Sequence, residues 1–197
     1  MFSLFTLLAI TTAAVSAGYP PPPGPWAMGA WRPPTDPPAP LWLGRAIQAN
    51  GGRFWMGKPP SAYCPPDIPG LNCTLYPGTS TVLVGGNETL SLNVVVPGGQ
   101  QVYIAPDGAL GYTPPHSTFK PDGSVVTGWR REISDAGGAP TVLWNQAGGY
   151  FVACPVGDAK DDVYQIYLNS GDALSGAACV SFQMRTYTAA GAVAWEY

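Results

Sequence analysis

The chain has 197 residues, enough for one domain with a sizeable core, and 46% of them are apolar. Charged side chains make up only 11% and sum to −3 at neutral pH, with no basic cluster, which argues against nucleic acid and anionic membranes as partners because positive charge supplies most of the affinity for both. Its 25 glycines and 23 prolines interrupt almost every apolar run, so helical spacing is never sustained and the expected class is all-β.

Residues 1–17, MFSLFTLLAITTAAVSA, are uncharged, apolar and end in small side chains at Val15, Ser16 and Ala17, the form of a signal peptide cut before Gly18. No later run reaches the roughly 18 uncharged apolar residues that span a bilayer. The end, AGAVAWEY, is too short for a lipid-anchor tail and carries Glu196. A secreted, soluble chain is expected. Residues 18–40 contain YPPPPGPWAMGAWRPPTDPPAP, in which proline removes amide donors and fixes φ. They are expected to form a disordered or polyproline II arm, whose Tyr19, Trp26 and Trp31 either decorate a spacer or stack on sugars or a partner.

Residues 41–197 read as a single β domain. Gln101–Ala105 and Ala109–Thr113 alternate like half-buried strands around Pro106-Asp107-Gly108, whose proline presets φ and whose glycine accepts positive φ, so the stretch is a hairpin. Similar strand–glycine–strand stretches centre on Gly52 and Gly149, placing Phe54, Leu110 and Phe151 alike after the turn. Three such hairpins are what a β-trefoil would display; a sandwich or open barrel is the other architecture compatible with them. Further strands are expected at 80–84, 90–96, 164–168 and 180–187, with another turn at Pro121-Asp122-Gly123.

The 4 cysteines suit an oxidising compartment. Of the three possible pairings, Cys64 with Cys73 and Cys154 with Cys179 are favoured, worth about 3 and about 3.5 kcal/mol by loop entropy. Zinc is disfavoured by the absence of a CxxC and by the single histidine, so neither metal nor cofactor is expected. Asn72-Cys73-Thr74 and Asn87-Glu88-Thr89 are glycosylation sequons.

Catalytic signals are weak. His116 precedes Ser117, but neighbours in sequence do not make a triad and no Gly-x-Ser-x-Gly elbow occurs. Glu132, Asp135, Asp161 and Asp162 are the carboxylates available to a small glycoside hydrolase. Asp158, Asp161 and Asp162 lack the glycine and terminal glutamate of a calcium loop. Aromatic residues are the richer signal: Trp42, Trp55, Trp129 and Trp144 lie near expected turns or strand edges, where exposed rings would stack on carbohydrate and buried ones would build core.

At PGGQQVY, GALGYTPPHS, Ala153-Cys154-Pro155 and Tyr164-Gln165, the sequence resembles the fungal secreted cell-wall proteins of the PhiA family, named for a role in phialide and spore formation and related to IgE-binding allergens. The likeness covers roughly Pro97 to Phe182 and extends more weakly through IQANGGRFWMG and Cys64/Cys73. It implies a wall-associated protein contributing to wall organisation and asexual development, and it brings no catalytic residues. The expected function is therefore a non-enzymatic, glycosylated wall protein. A lectin-like module for β-glucan or chitin is the alternative, and a small hydrolase the third reading.

Overall fold

The computed structural model describes residues 23–33, 42–133, 141–158, 161–171, 174 and 178–197. The expected leader at 1–17 lies outside them, as do 18–22, 34–41 and Asp135. Strands β1 (Trp26–Arg32), β2 (Trp42–Ala46), β3 (Gln48–Asn50) and β4 (Arg53–Met56) open the fold. A 3-10 turn at Cys73–Leu75 precedes β5 (Leu83–Leu92), β6 (Gln100–Ile104), β7 (Leu110–Tyr112), β8 (Trp129–Ile133) and β9 (Thr141–Asn145). Then come β10 (Tyr150–Pro155), β11 (Tyr164–Asn169), β12 (Val180–Ser181) and β13 (Gln183–Thr188). The all-β expectation holds.

Neighbouring strands follow the order β12-β10-β11-β4-β7-β6-β5-β8-β9-β13-β1-β2, with β3 added to β4, and every strand pair is antiparallel. A Trp26–Leu83 pairing joins β1 to β5 and closes the circuit β1-β13-β9-β8-β5. Closure removes exposed edges at that end. β2 is added on β1, the remaining strands continue from β6, and all pack on the same core, so Phe54, Phe151 and Ile166 share one apolar cluster with Trp26, Trp129 and Met184. This is a curled, partly closed barrel-like sandwich. Alternation along each strand explains the burial: Trp26, Met28 and Ala30 are 0–2% exposed on β1 while Ala27 and Trp31 are not fully buried. Fully burying one such large apolar side chain stabilises by about 1.5–3 kcal/mol.

Two expectations are corrected. The arm assigned to 18–40 contains β1, which lies between β13 and β2 rather than outside the fold. Its proline-free WAMGAWR alternates cleanly between faces; the proline clusters on both sides masked that period. The hairpin expected around Gly149 does not close either. β9 pairs with β8 and β13, whereas β10 pairs with β11 and β12, so longer-range partners win. Of the three glycine turns, those at Gly52 and Gly108 close hairpins and that at Gly149 does not, so the threefold set of a trefoil is not completed. Within β5 the chain turns back on itself around Glu88, which takes φ 75° and pairs with Arg130, and the Asn93 amide donates to the Val82 carbonyl at 2.8 Å, so the strands expected at 80–84 and 90–96 lie side by side as its two arms.

Both favoured disulfides form. Cys64–Cys73 closes the proline-rich loop with Cα atoms 5.8 Å apart, and Cys154–Cys179 ties β10 to the segment before β12 at 4.1 Å. A second clamp is polar. The buried Gln100 accepts from the Tyr197 amide at 2.8 Å and donates to the Tyr197 carbonyl at 2.6 Å and the Thr113 carbonyl at 3.1 Å. The Tyr197 hydroxyl donates to the Ser80 carbonyl, so one amide and one phenol join three segments distant in sequence.

Candidate functional site

The tryptophans singled out from sequence divide sharply. Trp42 and Trp129 are core, at 3% and 0% exposure, which corrects their assignment as sugar contacts. Trp42 packs edge-on against Tyr164 and Phe182, with ring centroids 5.3 and 5.9 Å away. Trp55 is half-buried, its indole N–H donating to the Asn50 carbonyl and its face covered by the Lys58 ammonium at 3.4 Å. Trp144 is 37% exposed, on β9 opposite Arg130.

The structure instead gathers a surface around Trp31. On β13, Met184 and Thr186 face the core, which leaves Gln183, Arg185 and Tyr187 on the outer side. Their partners on β1 are Trp31, Gly29 and Ala27 respectively. Because Gly29 puts no side chain opposite Arg185, the guanidinium leans over the Trp31 ring, 3.6 Å from its centroid, while its Nε donates to Gln183 Oε1 at 2.9 Å. Burial lowers the affinity of Arg185 for its proton, without threatening its charge at neutral pH.

Tyr187 lies across two glycines. A Cβ on Gly29 would sit 2.7 Å from the Tyr187 ring, and one on Gly44 would sit 2.8 Å from its hydroxyl. Gly44 is the unpaired residue at a bulge, where Ala30 faces Arg45 but Trp31 faces Leu43, and it takes φ 88°. The bulge turns Leu43 outward and Arg45 inward toward Tyr164 and Asp162.

Beside this strip opens a cleft of about 540 Å³, walled by Trp31, Arg32 and Pro33 on one side and by Tyr150 on the other, with Ser181, Phe182 and Gln183 between. That volume lies within the range of small-molecule sites. Tyr150 is 55% exposed, yet its hydroxyl accepts from Asn169 Nδ2 at 3.0 Å, which fixes the ring in the open. Fixed aromatic faces beside planar amide and guanidinium groups provide apolar contact together with directed hydrogen bonding. Sequence reasoning placed Trp31 on an arm and passed over Tyr150, Gln183, Arg185 and Tyr187; the alternation of QMRTYT on β13 was the available signal.

The profile of the PhiA-like secreted protein family matches residues 44–197. The chain belongs to that family. It is also 36% identical over 181 residues to an uncharacterized secreted protein of Arthroderma benhamiae, an alignment covering 83% of this chain and 89% of the relative. No solved structure matches. The resemblance noted from sequence is thereby established, and the protein is a secreted fungal one. The PhiA-like match begins within β2, so β1 and Trp31 precede it although they are built into the sheet.

Of the carboxylates considered for catalysis in this PhiA-like chain, Asp162 and Asp161 are held in structural contacts. Asp162 pairs with Arg45 at 2.8 Å, and that hydrogen bond keeps its carboxyl below the ordinary range, opposite to the raised value a glycosidase acid needs. Asp161 accepts from the Asp158 amide at 3.2 Å, and Glu132 sits on β8 opposite Val142. No group of three His, Cys, Asp or Glu residues suited to a metal occurs among the described residues. His116 is exposed at φ 54°, and the Ser117 hydroxyl accepts from the Phe119 amide at 3.0 Å, so both shape a turn. Asn87 and Asn72 are exposed. Asn72 Oδ1 accepts from the Thr74 amide and hydroxyl at 3.1 and 2.7 Å. Among the described residues no helix is long and apolar enough to cross a membrane.

Proposed function

We infer that this PhiA-like protein is a non-enzymatic structural component of the fungal cell wall, contributing to wall organisation and, through it, to asexual development. The observation that carries this reading is the exposed aromatic surface: Trp144, Tyr150 and Tyr187 are 37–55% exposed on a disulfide-stapled body of few charges. Such a surface favours retention by apolar and hydrogen-bonding contact with polysaccharide over attachment by charge. Glycans at Asn87 and Asn72 would help to wet it.

Fractionation of producing cells into medium, detergent-extractable and covalently wall-bound pools tests the reading. A substantial wall pool released without breaking covalent bonds is expected; protein confined to the medium would contradict it. The second reading, a lectin-like module for β-glucan or chitin, is favoured by the cleft between Trp31 and Tyr150.

A further inference from the structure

We propose that the Trp31–Tyr150 cleft and the Gln183–Arg185–Tyr187 strip that leaves it form one extended subsite for a β-linked, gluco-configured pyranose chain; this rests on the lectin-like reading above and names where and what it binds. Trp31 and Gln183 belong to both parts, lining the cleft and facing each other across β1 and β13. The strip therefore continues the cleft floor along β13, with side chains at every second residue pointing the same way.

The chemistry selects the ligand. A gluco-configured pyranose with equatorial substituents has two broad C–H faces that lie flat on aromatic rings, and a rim of hydroxyls that pair with planar amides and guanidinium groups. Here the rings are pre-positioned: Tyr150 is tethered to Asn169 and Trp31 is backed by Arg185, itself held by Gln183. Tyr187 rests in the trough left by Gly29 and Gly44. Ordering these rings in advance reduces the entropy lost on binding. An extended strip fits a chain better than a single sugar. β-1,3-Glucan and chitin share the flat faces, whereas an α-mannan chain carries an axial hydroxyl that breaks them.

Titration calorimetry of the full secreted chain with laminarihexaose, chitohexaose and an α-linked mannohexaose tests the site. Binding of one or both β-linked probes is expected, with the responding arm distinguishing glucan from chitin and the mannose probe silent. Trp31→Ala and Tyr150→Ala are each expected to weaken binding about tenfold or more with an unchanged unfolding midpoint. Gly29→Ala, which displaces Tyr187, is expected to weaken it less. Should Trp31→Ala fail to be secreted, Tyr150→Ala and Arg185→Ala carry the test from exposed or half-exposed positions.

Silence toward both β-linked probes, equal binding of the mannose probe, or full affinity in Tyr150→Ala and Arg185→Ala would overturn the proposal. Persistent wall retention alongside that silence would remove this site and leave wall association standing. Absence of any wall pool would remove the wider reading independently.

Discussion

Tyr197 shows how one buried hydroxyl ties fold to pH. Burial pushes its phenol up to about 12, from 10.0. The folded state therefore holds the proton more tightly than the unfolded state. The resulting stability is complete below about pH 10 and is lost as pH rises through about pH 12, a swing on the order of 2 kcal/mol. Tyr197→Phe is expected to flatten this alkaline decline, read as denaturant midpoints between about pH 8 and pH 11. Buried Tyr112, also raised, leaves a smaller residual slope. The opposite sign applies to Glu88 and Asp162, whose carboxyls are lowered mainly by hydrogen bonds from Arg130 and Arg45. Their contribution is present above the unfolded carboxylate range, near pH 4, and is lost as pH falls through the lowered values. Asp162→Asn should remove part of the acid slope, and an unchanged slope would contradict a stabilising Arg45 pair. At this scale the sequence was informative about residue type and poor about environment: it marked tryptophan as important, but burial of Trp42 and Trp129 depends on strand partners far along the chain.

Among the elements, β1 separates composition from period. Proline content alone made residues 18–40 an arm, whereas the seven residues Trp26–Arg32 pair along β13, β2 and β5. Deleting residues 23–33 is therefore expected to abolish secretion of folded protein, because it exposes the core faces of β13 and β2; a deletion variant with wild-type circular dichroism and midpoint would refute the placement. The hairpins at Gly52 and Gly108 were legible because their partners are close in sequence and their turns carry their own chemistry. The Gly149 stretch misled because the same local signature was overruled by pairing with β8, β11 and β13. Both disulfides were foreseeable from spacing and compartment. Replacing Cys154 and Cys179 by serine is expected to lower stability by about 3.5 kcal/mol and replacing Cys64 and Cys73 by about 3 kcal/mol, seen as lower denaturant midpoints.

As a whole, the molecule is a β scaffold closed at one end, stapled twice, and presenting fixed aromatic rings where β1, β10 and β13 meet. Class, compartment and family were readable in the chain because they depend on composition, on cysteine number and on local motifs. The surface was not, since Trp31, Tyr150 and Tyr187 come together only through long-range pairing and through the bulge at Gly44. The proposed mode of wall retention, by carbohydrate contact, rests on that surface.

Its most direct test is retention of the purified protein on isolated fungal walls, with the Trp31→Ala/Tyr150→Ala double variant alongside. Saturable retention that β-linked oligosaccharides displace, and that the folded double variant loses, is the predicted result; equal retention of both proteins, unaffected by any oligosaccharide, would contradict it.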